Sequence, residues 1–161
     1  MPLKPTSPVE VAPHLTSRHA LRVRFCETDL MGIVHHAGYL GYFEVGRVEW
    51  LRQRGVSYLE WATRGFHLPV VEARLRYRKP ARFDDLITIE TTCAETTRVT
   101  VRFRYRVLRG AELLCEGETR LACVGDDLAP KRFPEDVTRV LLSPEVGAEP
   151  PPAPPCAPTA R

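Results

Sequence analysis

The chain lacks any apolar run near the roughly 20 residues that a bilayer-spanning helix requires, which excludes a helical membrane protein. Its opening stretch, MPLKPTSPVEVAPHLTSRH, has no apolar core of the kind a secretion signal carries, so a cytoplasmic protein is expected. Cysteine is sparse and scattered: Cys26, Cys93, Cys115, Cys123 and Cys156 are odd in number and widely spaced, without a CxxC pair or a Cys/His cluster. That excludes a disulfide framework and a zinc site. Cys26 has no identifiable orienting base, so a thiol nucleophile is not expected there. Charge of either sign is in small excess, at +3. This does not point to nucleic acid, though it suits an anionic small molecule. There is no internal repeat.

What the chain does have in quantity is proline, with 15 residues concentrated at its ends. Pro2, Pro5, Pro8 and Pro13 make residues 1–17 a flexible arm. The Pro/Ala-rich stretch 143–161 reads as a disordered or polyproline-like tail. One folded domain is left between them, over residues 18–142, large enough to bury a core.

Within it, His19 to Cys26 alternates, with Leu21, Val23 and Phe25 on one side and Arg22 and Arg24 on the other, which predicts a half-buried strand. Tyr39 to Arg54 predicts a helix of about four turns. Leu40, Phe43, Arg47 or Val48, and Leu51 fall at helical spacing, and Tyr39, Tyr42, Val45 and Trp50 widen the apolar coverage. Gly55 stops it, and Ser57-x-x-Glu60 has the form of a capping box for a short helix reaching Arg64. Four alternating strands follow. One places Val71, Ala73, Leu75 and Tyr77 on a face; the next, Ile87, Ile89, Thr91 and Cys93; the third, Val99, Val101, Phe103, Tyr105 and Val107; the last runs from Leu113 to Val124. Alternation of this kind predicts an antiparallel sheet with one face buried. A single long helix must then bury itself against a sheet that curls around it. The fold class is α+β.

Chemistry concentrates between that first strand and the helix. Asp29 ends the strand ahead of Gly32, where a carboxylate can attack a carbonyl, activate a water, or simply close a turn. Free backbone N–H groups at a helix start carry partial positive charge and can receive a developing oxyanion. His35 and His36 lie at that start, in either a structural or a catalytic role. No third ligand at sensible spacing supports a metal. Glu44, on a mostly apolar helix, needs a partner such as Arg47 or a task. Most of the 23 Lys and Arg residues lie on polar strand faces. Arg98, in the turn after Thr96 and Thr97, is better placed to meet an anion, and Lys79 and Arg82 flank Pro80 less favourably.

The run Phe25-Cys26-Glu27-Thr28-Asp29-Leu30-Met31-Gly32-Ile33-Val34-His35-His36-x-x-Tyr39, followed by Phe43-Glu44 and Arg47, resembles the hotdog-fold acyl-CoA thioesterases. The subgroup is the 4-hydroxybenzoyl-CoA thioesterase-like family, which includes the bacterial Tol–Pal-associated enzymes. Tyr77-x-x-Pro80-Ala81-x-x-Asp84-Asp85 and the strand after it extend the resemblance over residues 18–142. It implies a hotdog fold, a curved antiparallel sheet of about five strands around one central helix. It also implies hydrolysis of an acyl-CoA thioester, with coenzyme A part of the substrate and no separate cofactor. Asp29 matches the family's nucleophile or general base, His36 the residue whose backbone N–H polarises the thioester carbonyl, and Glu44 the acid of the helix motif. Gly32, Val34, His35 and Tyr39 belong to the substrate-binding stretch. Arg98 falls in the turn that meets the CoA phosphates across a subunit interface in such enzymes. A homodimer or homotetramer follows, with sites between subunits. This sequence departs from the usual pattern at Glu27, His35 and Gly38.

Three alternatives have distinct signatures. A non-catalytic acyl-CoA-binding or scaffolding hotdog would bind CoA without releasing thiol. A hydratase would need an Asp/His pair in a motif this chain lacks. Nucleic-acid binding would need aromatic platforms among the outward arginines, where there are none.

Overall fold

The structure is a computed structural model and describes residues 15–143. The expectations for residues 1–14 and 144–161 lie outside it. Its elements are β1 (Thr16–Arg22), a short 3₁₀ turn (Phe25–Glu27), α1 (Gly38–Arg52), α2 (Tyr58–Thr63), β2 (Val70–Tyr77), β3 (Leu86–Thr96), β4 (Thr100–Arg109), β5 (Glu112–Ala122) and α3 (Glu135–Leu142). The five strands form one antiparallel sheet in the order β1-β3-β4-β5-β2. Two hairpins, β3–β4 and β4–β5, make its centre, and β1 and β2 flank it as edges. With α1 lying in its curve, this is the hotdog arrangement.

The core sits between α1 and one face of the sheet. The predicted inward residues of β3 (Ile87, Ile89, Thr91, Cys93) and of β4 (Val101, Phe103, Tyr105, Val107) are all buried there. The Phe43 ring stacks on Tyr105 at 4.2 Å between centroids, and Trp50 meets Phe103 edge-on at 5.4 Å. Such a close approach needs two glycines. A Cβ on Gly46 would push into the Thr91 hydroxyl and Ile89, and one on Gly117 would meet the Phe43 ring.

Several local expectations are corrected. β1 begins and ends earlier than the alternation suggested, and Phe25 leaves the core face for the 3₁₀ turn, 76% exposed, where it packs edge-on against Phe83. The ladder's register still carries Val23 N–H to Asp85 O at 2.9 Å, but Val23 O takes the Asp84 N–H at 3.0 Å instead of the Asp85 N–H, and the chain leaves the sheet there. Leu40, predicted for the buried stripe of α1, is exposed; the stripe is Tyr39, Tyr42, Phe43, Gly46, Trp50 and Leu51. The helix ends at Arg52 rather than Arg54, and Gly55 follows in the left-handed region. Val99 lies outside the strand and is exposed. The face of β2 stays largely open, with Val71 and Tyr77 exposed, because β2 is an edge with no neighbour beyond it. β5 stops at Ala122, and Val124 makes only isolated bridges to His67 and Pro130. Helix α3 was not anticipated. It buries Val137 and Leu141, and Arg64 of α2 grips its Asp136 through two bonds, at 2.6 and 3.1 Å. The short helix α2 forms where the Ser57-x-x-Glu60 pattern placed it.

Candidate active site

The segment between β1 and α1 folds back on itself. Thr28 and Val34 pair as an antiparallel bridge, Asp29 N–H bonds to Ile33 O at 2.9 Å, and Gly32 N–H bonds to Asp29 O at 2.9 Å. The reversal needs a positive φ of 69° at Gly32, which a side chain would strain. One carboxylate oxygen of Asp29 accepts the Met31 N–H at 2.8 Å. The other has no hydrogen-bond partner among the described residues. The loop is tied to the body through Val34 N–H and Ala81 O, 2.8 Å apart.

Glu27 clamps the loop to the helix. Its carboxylate accepts the Arg24 N–H at 2.7 Å, the Arg24 guanidinium at 2.9 Å and the Tyr42 hydroxyl at 3.1 Å. Burial pushes the Glu27 pKa up, but the bonds from Arg24 and Tyr42 outweigh it and hold the group below the usual glutamate range. Tyr42 is raised, by burial first and then by the neighbouring carboxylate. Nothing local in the sequence shows that Tyr42 reaches Glu27, fifteen residues away.

At the helix start the backbone donors on either side of His36 are spent. His35 N–H bonds to Glu27 O at 2.9 Å, Ala37 N–H to His35 Nδ1 at 3.2 Å, and Gly38 N–H to His35 O at 2.8 Å. The His36 N–H has no acceptor among the described residues. Tyr77, from the end of β2, donates its hydroxyl to His36 O at 2.9 Å and holds that peptide from the other side. Asp29 and His36 line one cavity of about 290 Å³ together with Met31, Val34, Tyr39 and Tyr77. Arg78 and Lys79 stand on its rim, each already paired, with Glu116 at 2.5 Å and Glu112 at 2.6 Å.

Of the residues the sequence singled out, Asp29, Val34, His36 and Tyr39 therefore share a cavity. Gly32 shapes the loop, and His35 is committed to the helix start. Glu44 and Arg98 are elsewhere. Glu44 is exposed on α1 and faces Arg47 at 3.7 Å. Arg98 sits in the β3–β4 hairpin, where its carbonyl accepts Phe133 N–H. That is the far end of β3, an 11-residue strand about 35 Å long. Tyr77 was missed as a site residue, its one signal being the strand-end position before Pro80. The buried thiols take no part: burial raises Cys93, and Cys115 to about 11.

The family model of the thioesterase-like superfamily matches residues 23–141. The chain belongs to the thioesterase-like superfamily. Among curated members, the acyl-CoA thioesterase YbgC of Haemophilus influenzae is 32% identical over 121 residues, covering 73% of this chain and 88% of that protein. Among solved structures, the hypothetical protein TT1821 of Thermus thermophilus is 42% identical with a TM-score of 0.75, covering 78% of this chain and 95% of its own. The DHNA-CoA thioesterase of Staphylococcus aureus is 26% identical with a TM-score of 0.75, covering 78% and 87%. Membership bears out the resemblance carried by the segment from Phe25 to Arg47.

Proposed function

We propose that the protein hydrolyses an acyl-CoA thioester to a free carboxylic acid and coenzyme A, using Asp29 and the His36 N–H. One observation carries this reading. A carboxylate oxygen and a helix-start N–H, both without partners among the described residues, line the same cavity. As the thioester carbonyl is attacked, its oxygen gains negative charge, and the His36 N–H receives it. A donor so placed is worth about 3 kcal/mol in the transition state. Asp29 either attacks the carbonyl carbon or takes a proton from the attacking water. The C–S bond breaks and the thiolate departs. If Asp29 has attacked, water then cleaves the resulting anhydride. Both routes end in the same acid and thiol, and neither calls for a separate cofactor.

The names of the relatives support CoA as the carrier. Arg98 is too far along the sheet to reach this cavity within one chain, so its meeting the CoA phosphates requires a second copy. We place that copy on the open edge of β2, where Val71 and Tyr77 are exposed apolar residues. The direct experiment is thiol release from a panel of short, long and aromatic acyl-CoAs. Release from at least one, with free acid as co-product, is expected. Binding of acyl-CoA without release of thiol from any of them would replace this reading with that of a non-catalytic binding protein.

A further inference from the structure

A second cavity, of about 360 Å³, lies at the other end of β2 from Asp29, on the order of 25 Å along the strand. It is enclosed by the C-terminal half of α1, by α2, by the start of β2 and by Leu141 of α3. Its walls are almost wholly hydrocarbon and aromatic, among them Leu51, Trp61, Leu68, Phe103 and Leu121. Into this wall the chain sets one cation, Arg47, whose side chain is only 16% exposed. Withdrawing a guanidinium from water is costly unless a close partner compensates it. The Tyr105 hydroxyl oxygen accepts one of its N–H groups, a neutral partner that supplies no counter-charge. The one carboxylate facing it, Glu44 at the cavity wall, stands 3.7 Å away and is 69% exposed, beyond hydrogen-bond reach. Tyr58, also in the wall, accepts the Leu68 N–H on its hydroxyl oxygen at 3.1 Å, while its own proton has no acceptor among the described residues.

An apolar pocket with one cation whose charge has no carboxylate within hydrogen-bond reach matches one chemistry. We propose that this cavity binds an apolar monocarboxylic acid, its tail among the leucines and aromatic rings and its carboxylate on Arg47. A guanidinium presents two parallel N–H groups to the two oxygens of a carboxylate. The single cation gives a polyphosphate too little counter-charge, and the hydrocarbon walls offer a second anionic group nothing. Binding displaces Glu44, which turns into water, and leaves the Tyr105 hydroxyl on Arg47. The inference requires no catalytic step. Its ligand class is nevertheless that of the acid the Asp29 cavity is proposed to release, so product would accumulate on the enzyme at a distance from the chemistry.

The test is isothermal titration of the full chain with octanoate and with 1-octanol, which has the same tail without the charge. Octanoate should bind about tenfold or more tightly than octanol, and Arg47→Met should erase that preference. Val70→Trp, at the exposed mouth, should abolish binding of both with the melting temperature unchanged, which keeps the test open if Arg47→Met fails to fold. Asp29→Asn should leave octanoate binding intact. Equal affinity for acid and alcohol, or no binding of either, overturns the proposal. So does octanoate binding that survives Val70→Trp or is lost in Asp29→Asn. These outcomes are independent of whether the protein releases thiol from acyl-CoA.

Discussion

Asp29 could be singled out from the sequence because its neighbours betray it: a strand before, a glycine three residues on, and a helix after. What could not be read was how its loop is held. Glu27 could not be recognised as a clamp because its second partner, Tyr42, is fifteen residues away and reaches it only once α1 has folded back. The free His36 N–H was legible only as a member of a set of helix-start donors. The structure spends its neighbours' N–H groups, those of His35, Ala37 and Gly38, on Glu27 O and His35. The Glu27 clamp has a pH signature. Its folded pKa is depressed, so its stabilisation is complete above the ordinary value of 4.5 and is lost as pH falls through the folded value. Glu27→Gln should cost about 1–3 kcal/mol at neutral pH. Paired thermal melts should show the gap between variant and parent closing as the buffer is taken below about pH 4. A gap that stays constant into acid would deny the carboxylate this role.

At the scale of elements, the helix and the four C-terminal strands were legible because each carries a clean period, and β3 and β4 bury nearly the residues that period assigns. Failures fall where tertiary contact overrides the period. Phe25 keeps the alternation of β1, but Asp84 and Asp85 capture the chain at Val23. Leu40 keeps helical spacing, but the tyrosines beside it face the sheet. Helix α3 went unseen because eight residues show barely two turns of pattern. Glycine marks a contact that sequence leaves ambiguous, since Gly41 and Gly46 look alike within α1. A Cβ at Gly46 would invade Thr91 and Ile89, whereas one at Gly41 meets nothing within 4 Å. Gly46→Ala should therefore destabilise by about 1–3 kcal/mol through overpacking. Gly41→Ala should stabilise by about 0.5–1 kcal/mol through the better helix former. Denaturant melts of the two variants should shift their midpoints in opposite directions; equal shifts would mean that α1 does not press on β3 as described.

At the scale of the molecule, one protomer presents an incomplete account of its own charges and edges. Arg98 lies at one end of the sheet and Asp29 at the other, and β2 ends the sheet with apolar residues in the open. The proposed second copy across β2 would resolve both. Light scattering on the eluting protein should give at least twice the chain mass, and Val71→Asp on the exposed edge should reduce it to one chain, with thiol release falling alongside. A monomeric parent with full activity would remove the interface from the mechanism. The fold survives either outcome, since its core lies wholly between α1 and its own sheet. The proposed chemistry rests on a single carboxylate, and Asp29→Asn isolates it, because the amide oxygen can still accept the Met31 N–H and keep the loop closed. With an acyl-CoA that the parent hydrolyses, thiol release by Asp29→Asn should fall about 10²–10⁴-fold with the melting temperature unchanged; turnover equal to the parent's would contradict the assignment of this cavity as the active site.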